Sequence, residues 1–209
     1  IGASELAKHF YWAGGTALSA VYLHHRKSED LDFFSDDLID EDAVLIAMKQ
    51  VKKALRLTGM RHATRANRQS YLLERSGETL KVEFVYYPFQ PVATPEKTAA
   101  YPVRIASLED IAANKLHALY ERAEPKDAAD MYYLLKQKQF SVSALTKLAS
   151  KKFDAIDQAT LAGKAIEAAG RLNEIKPLLE KRESVKKIQD DIESLFSAPG
   201  KRHLSSLLV

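Results

Sequence analysis

The sequence predicts an α+β protein, with a mixed sheet flanked by helices in residues 1–106 and a helical subdomain over residues 107–209. Three observations lead there. β-Forming runs alternate with amphipathic helical patterns as far as Ile105. Only helical periodicity remains from Ser107 onward. Between the two regimes Pro88, Pro91 and Pro95 punctuate a stretch without either period. At 209 residues, 46% apolar and 28% charged, the chain is long enough to bury a core without covalent staples.

The elements follow in order. His9–Ala13 is an aromatic run closed by Gly14-Gly15 and reads as a strand ending in a glycine turn. Thr16 to His25 reads as a helix, with Ala17, Leu18, Val21 and Tyr22 on one face. Asp30-Leu31-Asp32-Phe33-Phe34-Ser35 alternates acid and apolar side chains, as a strand with both aspartates on one face. Asp40 is the expected N-cap of a helix to about Leu57, stopped by Gly59. Ser70–Arg75 and Thr79–Tyr87 form a hairpin around Ser76-Gly77-Glu78. A short strand is expected at Val103–Ile105. Ser107-Leu108-Glu109-Asp110 is a capping box, and the helix it opens is broken by Pro125. Asp127–Lys138 is the next helix, and further helices fill the C-terminal part with interruptions at Gly170, Pro177 and Pro199-Gly200.

Composition excludes several function classes. Without cysteine there is no disulfide scaffold, thiol nucleophile or thiolate metal site, so any metal must be a hard ion held by oxygen. Mean hydropathy is −0.28, and no apolar run nears the ~18 residues of a membrane span. The first residues, Ile1 to Glu5, show neither a basic nor an apolar leader region and no initiator Met. A cytoplasmic protein is the expectation.

The net charge of +3 hides a segregation. Eight acids and no Lys or Arg lie between Glu29 and Asp42, and seven bases and no acid between Ala43 and Leu73. Solvated polar faces are one reading of such runs. The other is an acidic centre beside a basic surface, which an enzyme holding a metal and an anionic substrate requires.

Asp30 and Asp32, two apart on a strand, point the same way with Cα atoms about 6.5–7 Å apart. Such a pair can hold hard divalent ions that clamp a reacting phosphate. Gly14-Gly15-Thr16 sits at a strand–helix junction, where glycines let backbone N–H groups approach an anion; an ordinary turn is the alternative. Glu83, within Lys81-Val82-Glu83-Phe84-Val85, is either a third carboxylate or a solvent-facing strand residue. His24 and His25 are adjacent and diverge by about 100° on a helix, so they read as helix-end residues rather than a metal pair.

Two blocks carry a family resemblance. The first is Ala13-Gly14-Gly15-Thr16-Ala17-Leu18 followed by Arg26-Lys27-Ser28-Glu29-Asp30-Leu31-Asp32-Phe33-Phe34. The second is Asp110-Ile111-Ala112-Ala113-Asn114-Lys115, then Arg122 and Lys126-Asp127-Ala128-Ala129-Asp130-Met131-Tyr132. Together they resemble the AbiEii/AbiGii toxin family of the polymerase-β-type nucleotidyltransferase superfamily, over about residues 10 to 136.

That resemblance implies a nucleotidyltransferase-type core and a transfer of a nucleotide from an NTP with release of pyrophosphate. It implies Asp30, Asp32 and Glu83 as holders of Mg²⁺ (or Mn²⁺), with Glu83 in place of the more compact Asp. Gly14, Gly15 and Thr16 would cradle phosphates, with Arg26, Ser28, Lys115 and Arg122 as further nucleotide contacts. Lys115 and Asp127 would join the catalytic set, while Asp130 reads as a partner of Lys126 or a helix cap. Arg26 would pair with Asp30 or touch phosphate. The implied acceptor is RNA, with a tRNA 3′ end as the leading case, approached through the basic segment 49–68. A cognate antitoxin is the implied protein partner, and no membrane is involved. Transfer to a small-molecule or protein hydroxyl, and a non-catalytic nucleotide-binding module, are the competing readings.

Overall fold

A computed structural model describes residues 1–2, 4–38, 40–181 and 183–207, with side chains described as far as residue 197. The chain forms two compact units. One comprises Ile1–Ala20 and Ser28–Ser107, and the other Val21–Lys27 and the chain from Leu108 onward.

The first unit is built on a seven-stranded sheet. Its strands are β1 (Tyr11–Ala13), β2 (Asp30–Ser35), β3 (Gly59–Arg65), β4 (Arg68–Arg75), β5 (Glu78–Tyr86), β6 (Glu96–Thr98) and β7 (Tyr101–Ile105). They lie in the order β3-β4-β5-β2-β1-β7-β6. β2 runs parallel to β5 and β1 parallel to β7, while the other pairings are antiparallel. The acid–apolar alternation of 30–35 therefore belongs to the central strand.

Alternation gives the sheet two unlike faces. On one, Phe33 stacks on Phe84 with ring centroids 5.5 Å apart, and Phe10 and Tyr71 meet Phe84 edge-on at 5.0 and 6.0 Å. α3 (Glu41–Ala54) lies over this face: Thr64 donates to its Glu41, and Val44, Ala47 and Met48 are buried. The short helix α1 (Leu6–His9) brings in Leu6 and Ala7. The opposite face carries Asp30, Asp32, Lys81, Glu83 and Ser70 in register.

Several elements differ from expectation. His9 ends α1, so β1 begins only at Tyr11. The helix expected from Thr16 starts at Gly14 as α2 (Gly14–Ala17) and continues as a π-helical turn over Leu18–Leu23. Asp40 does cap α3, accepting from the Asp42 backbone N–H at 3.0 Å, but that helix ends at Ala54. Gly59 opens β3, a strand whose exposed, basic residues carry no apolar alternation to betray it. β6 is likewise short and wholly exposed. The hairpin turn is tighter than expected: Ser76 and Gly77 both have positive φ, as a two-residue turn between β4 and β5 requires.

The second unit is helical, with α4 (Leu108–Arg122), α5 (Pro125–Gln137), α6 (Val142–Ala149), α7 (Gln158–Gly170), a 3₁₀ stretch (Leu172–Leu178) and α8 (Val185–Leu207). Pro125 opens α5 rather than merely ending α4, because the first helical position needs no N–H. α8 continues across Pro199-Gly200, where an interruption was expected. Residues 25–27 join this unit by bonds to the far end of the 3₁₀ stretch: Lys27 N–H donates to Leu178 O (2.8 Å) and Glu180 N–H to His25 O (3.0 Å). A buried ion pair, Lys152 with Asp110 at 2.7 Å, also has Asn114 as a partner of Lys152 at 2.9 Å.

Phe84 is 2% exposed at the centre of the aromatic cluster. Phe84→Ala should cost about 3–5 kcal/mol of unfolding free energy, read by chemical denaturation.

Candidate active site

The acidic centre is assembled by three neighbouring strands and one glycine turn. β2 and β5 pair in parallel so that Asp32 lies beside Glu83 and Asp30 beside Lys81. β4 adds Ser70 opposite Glu83. Gly14, directly after β1, has φ +74°, and a Cβ there would overlap the Asp32 carboxylate. Glycine is thus needed twice at this position, for the left-handed backbone and for the space the carboxylate takes. The Thr16 hydroxyl bonds both the Asp30 carbonyl and the Ser28 hydroxyl. A carbonyl only accepts, so Thr16 donates to it and accepts from Ser28. Gly14, Thr16, Ser28, Asp30 and Asp32 are in this way tied into one loop-and-strand unit.

Glu83 is buried, not solvent-facing. Its carboxylate accepts from Ser70 Oγ (2.7 Å) and Arg68 Nη1 (2.8 Å), with Lys81 Nζ at 3.1 Å. Burial works against its charge, but the Ser70 and Lys81 hydrogen bonds and the Arg68 charge prevail and hold it below the ordinary carboxylate range. Lys81 also lies 4.0 Å from Asp30, whose side chain is 45% exposed. Among the described residues no three His, Asp or Glu side chains converge as a ready metal cluster. Asp30 and Asp32 are the oxygen donors that fit a hard divalent cation; Glu83 would first have to exchange one of its cationic partners.

The remaining expected residues meet in the second unit. Asp127 and Asp130 are fully buried on α5. Lys115 Nζ bridges them, 2.9 Å from Asp127 Oδ1 and 2.6 Å from Asp130 Oδ2. Arg122 grips Asp127 through Nε and Nη2 (2.7 and 3.0 Å). Arg26 grips Asp130 in the same forked way (2.7 and 3.0 Å), and His25 Nε2 lies 2.7 Å from Asp130 Oδ1. Arg26 pairs with Asp130, and Asp130 pairs with Arg26, Lys115 and His25 rather than with Lys126. His25 is a network member, not a bare helix end. Burial opposes the charge on both acids, yet Lys115 and Arg122 lower Asp127, and Lys115, Arg26 and His25 hold Asp130 well below the ordinary range.

Arg68, Ser70 and Lys81, which surround Glu83, were not expected from the sequence. Their signal is register: a two-residue turn at Ser76-Gly77 sets Ser70 opposite Glu83, whereas a three-residue turn would set it opposite Phe84.

With this geometry in place, comparison with known proteins is direct. The family model for the nucleotidyl transferase AbiEii toxin, Type IV TA system, matches residues 1–203. The chain belongs to the AbiEii nucleotidyltransferase toxin family. An uncharacterized protein of Aquifex aeolicus (strain VF5) is 27% identical over 201 residues, covering 96% of this chain and 91% of the relative. Of solved structures, JHP933 from Helicobacter pylori shares the fold with a TM-score of 0.64 at 20% identity, over 98% of this chain and 92% of that one. MenT4, a nucleotidyltransferase toxin from Mycobacterium tuberculosis H37Rv, superposes with a TM-score of 0.50 at 17% identity, over 90% of this chain and 74% of that one. Membership of the AbiEii family makes the protein a nucleotidyltransferase.

Two outcomes follow from the geometry. Gly14→Ala should displace the Asp32 carboxylate and cut nucleotidyl transfer by at least about tenfold, with far-UV circular dichroism unchanged; activity at the wild-type level would show that the close approach is dispensable. Asp130, with its pKa depressed by folding, contributes stability that is present above the unfolded value of about 3.9 and lost as pH falls toward the folded value. Asp130→Asn should therefore destabilise by about 3–5 kcal/mol at neutral pH, because it leaves buried cations uncompensated, and should flatten the loss of stability below about pH 4.

Proposed function

We propose that the protein transfers a nucleotide from an NTP to an RNA acceptor, a tRNA 3′ end being the leading case. The observation that carries this reading is the pair Asp30 and Asp32 on one face of the central strand, with Gly14 packed against Asp32. Asp30 and Asp32 would hold Mg²⁺ (or Mn²⁺), which would supply neutralising charge at the reacting phosphate. Gly14, Gly15 and Thr16 present backbone N–H groups to the triphosphate at the start of α2. Ser28 and Thr16 fix the entry to β2 and so set where Asp30 lies.

Glu83 acts as an ionised, positioned carboxylate. Its depressed pKa makes it a weak proton acceptor, so its part is to order Arg68 and Lys81 beside Asp30 and Asp32. In the helical unit Asp127 and Lys115 are buried against each other and order that unit. Arg122 has a half-exposed side chain and is the member able to touch an anionic substrate. Among the described residues no helix is long and apolar enough to cross a membrane. The protein works in the cytoplasm under the control of a cognate antitoxin.

The test is incubation with each labelled NTP, Mg²⁺ and total tRNA. Wild type should label RNA, and Asp32→Ala should lose that label by at least about a hundredfold, the scale of losing one electrostatic stabiliser of a transition state. Label on protein or on a small molecule, with RNA blank, would replace the acceptor; no label anywhere would remove the transferase reading.

A further inference from the structure

The run of bases between Lys49 and Arg68 is a single feature in the sequence, but the fold cuts it in two. Lys49, Lys52 and Lys53 belong to α3, which lies over the Phe33–Phe84 face of the sheet. Arg61 and Arg65 belong to β3, at one end of the strand order. Register decides which way they point. Arg61 pairs with Leu72 and Arg65 with Arg68; Leu72 pairs in turn with Lys81, and Lys81 with Asp30. Residues in register across neighbouring strands project from the same face. Arg61, Arg65, Arg68 and Lys81 thus share the face of Asp30 and Asp32, and the α3 lysines do not.

These side chains are partly exposed on that face, where Arg61 pairs with Glu74, and Arg68 and Lys81 with Glu83. Arg61 is 72% exposed, Arg68 46% and Lys81 40%. The row runs from the cations of β3, past Leu72 on β4 and Lys81 on β5, to Asp30 on β2, three strand spacings or about 14 Å away. A polyanion lying across β3 and β4 would meet these arginines on its way to the aspartates, with Glu74 and Glu83 on the same face each paired to a cation.

We propose that Arg61 and Arg65 form the docking track for the single-stranded 3′ end of the RNA acceptor, and that the bases of α3 take no part in it. This inference rests on the RNA-acceptor reading of the site. The track needs only exposed cations on the surface of the strand, so it reads phosphates and not base sequence.

The experiment compares Arg61→Thr/Arg65→Thr, which keeps β-forming residues on the edge strand, with Lys49→Ala/Lys52→Ala/Lys53→Ala on the helix. Transfer to a single-stranded RNA oligonucleotide is followed as a function of acceptor and of NTP, and binding of the same labelled oligonucleotide is measured by anisotropy from 50 to 200 mM salt. The strand variant should raise the acceptor KM and Kd about tenfold near 0.15 M salt and flatten the salt slope by about one to two, with the NTP KM unchanged. The helix variant should keep the wild-type acceptor KM and slope. Equal losses in both variants, or a loss confined to the helix variant, overturns the track. If wild type transfers nothing to RNA, the functional reading fails by that readout alone. The binding measurement still decides the track, which falls if the strand variant binds RNA as wild type does.

Discussion

The parallel pairing of β2 with β5 sets Asp32 beside Glu83 and Asp30 beside Lys81, and the rest of the acidic face follows from it. A slip of one residue would turn Phe33 toward solvent and both aspartates into the aromatic layer. Opposed demands therefore lock the register: Phe33 and Phe84 must stack in the core, and the carboxylates must not enter it. The Gly14 turn adds a second lock, since the space it leaves is filled by the Asp32 side chain. The geometry of this acidic centre is enforced by the packing of the opposite face.

The second unit solves a different electrostatic problem. Two fully buried carboxylates would be costly to ionise in isolation. Here three cations, Arg26, Lys115 and Arg122, and the His25 ring surround them, with each arginine bound in a forked geometry. Such a network is weak evidence for net stability, but removing one member strands the others. Arg26 is held by Asp130, and Lys27 by Leu178, only a few residues before Asp30. Within the first unit, Thr16 holds the path into β2 at Ser28 and Asp30.

How much was legible in the sequence follows from which forces leave local patterns. The β2 alternation, the Asp40 cap, the β4–β5 hairpin and the start of α4 were readable because period two, capping chemistry and turn chemistry are local. β3 was not, because an exposed edge strand buries nothing and needs no apolar alternation. Asp30, Asp32 and the glycine turn were legible as a group. The partners of Glu83 were not, since they depend on a turn length that Ser76-Gly77-Glu78 leaves ambiguous by one residue. Asp130 shows the same limit: its helix was evident, but its bonds to His25 and Arg26 span about a hundred positions, and no spacing rule reaches that far.

The arginines of β3 also answer a structural need, and this bears on how a basic edge strand could be retained. A free sheet edge invites pairing with another chain, and charged side chains are one way to discourage it. Arg61 and Arg65 do so whatever else they bind. An edge protected by acids would serve that purpose equally well, but it would repel an anionic substrate from the aspartates of the same face. Cations satisfy both conditions at once, and Glu74, placed to pair with Arg61 at 3.1 Å, tempers the repulsion within the strand pair. The near-neutral sum of the chain thus hides two runs of opposite charge, and the sheet register brings part of each onto one face.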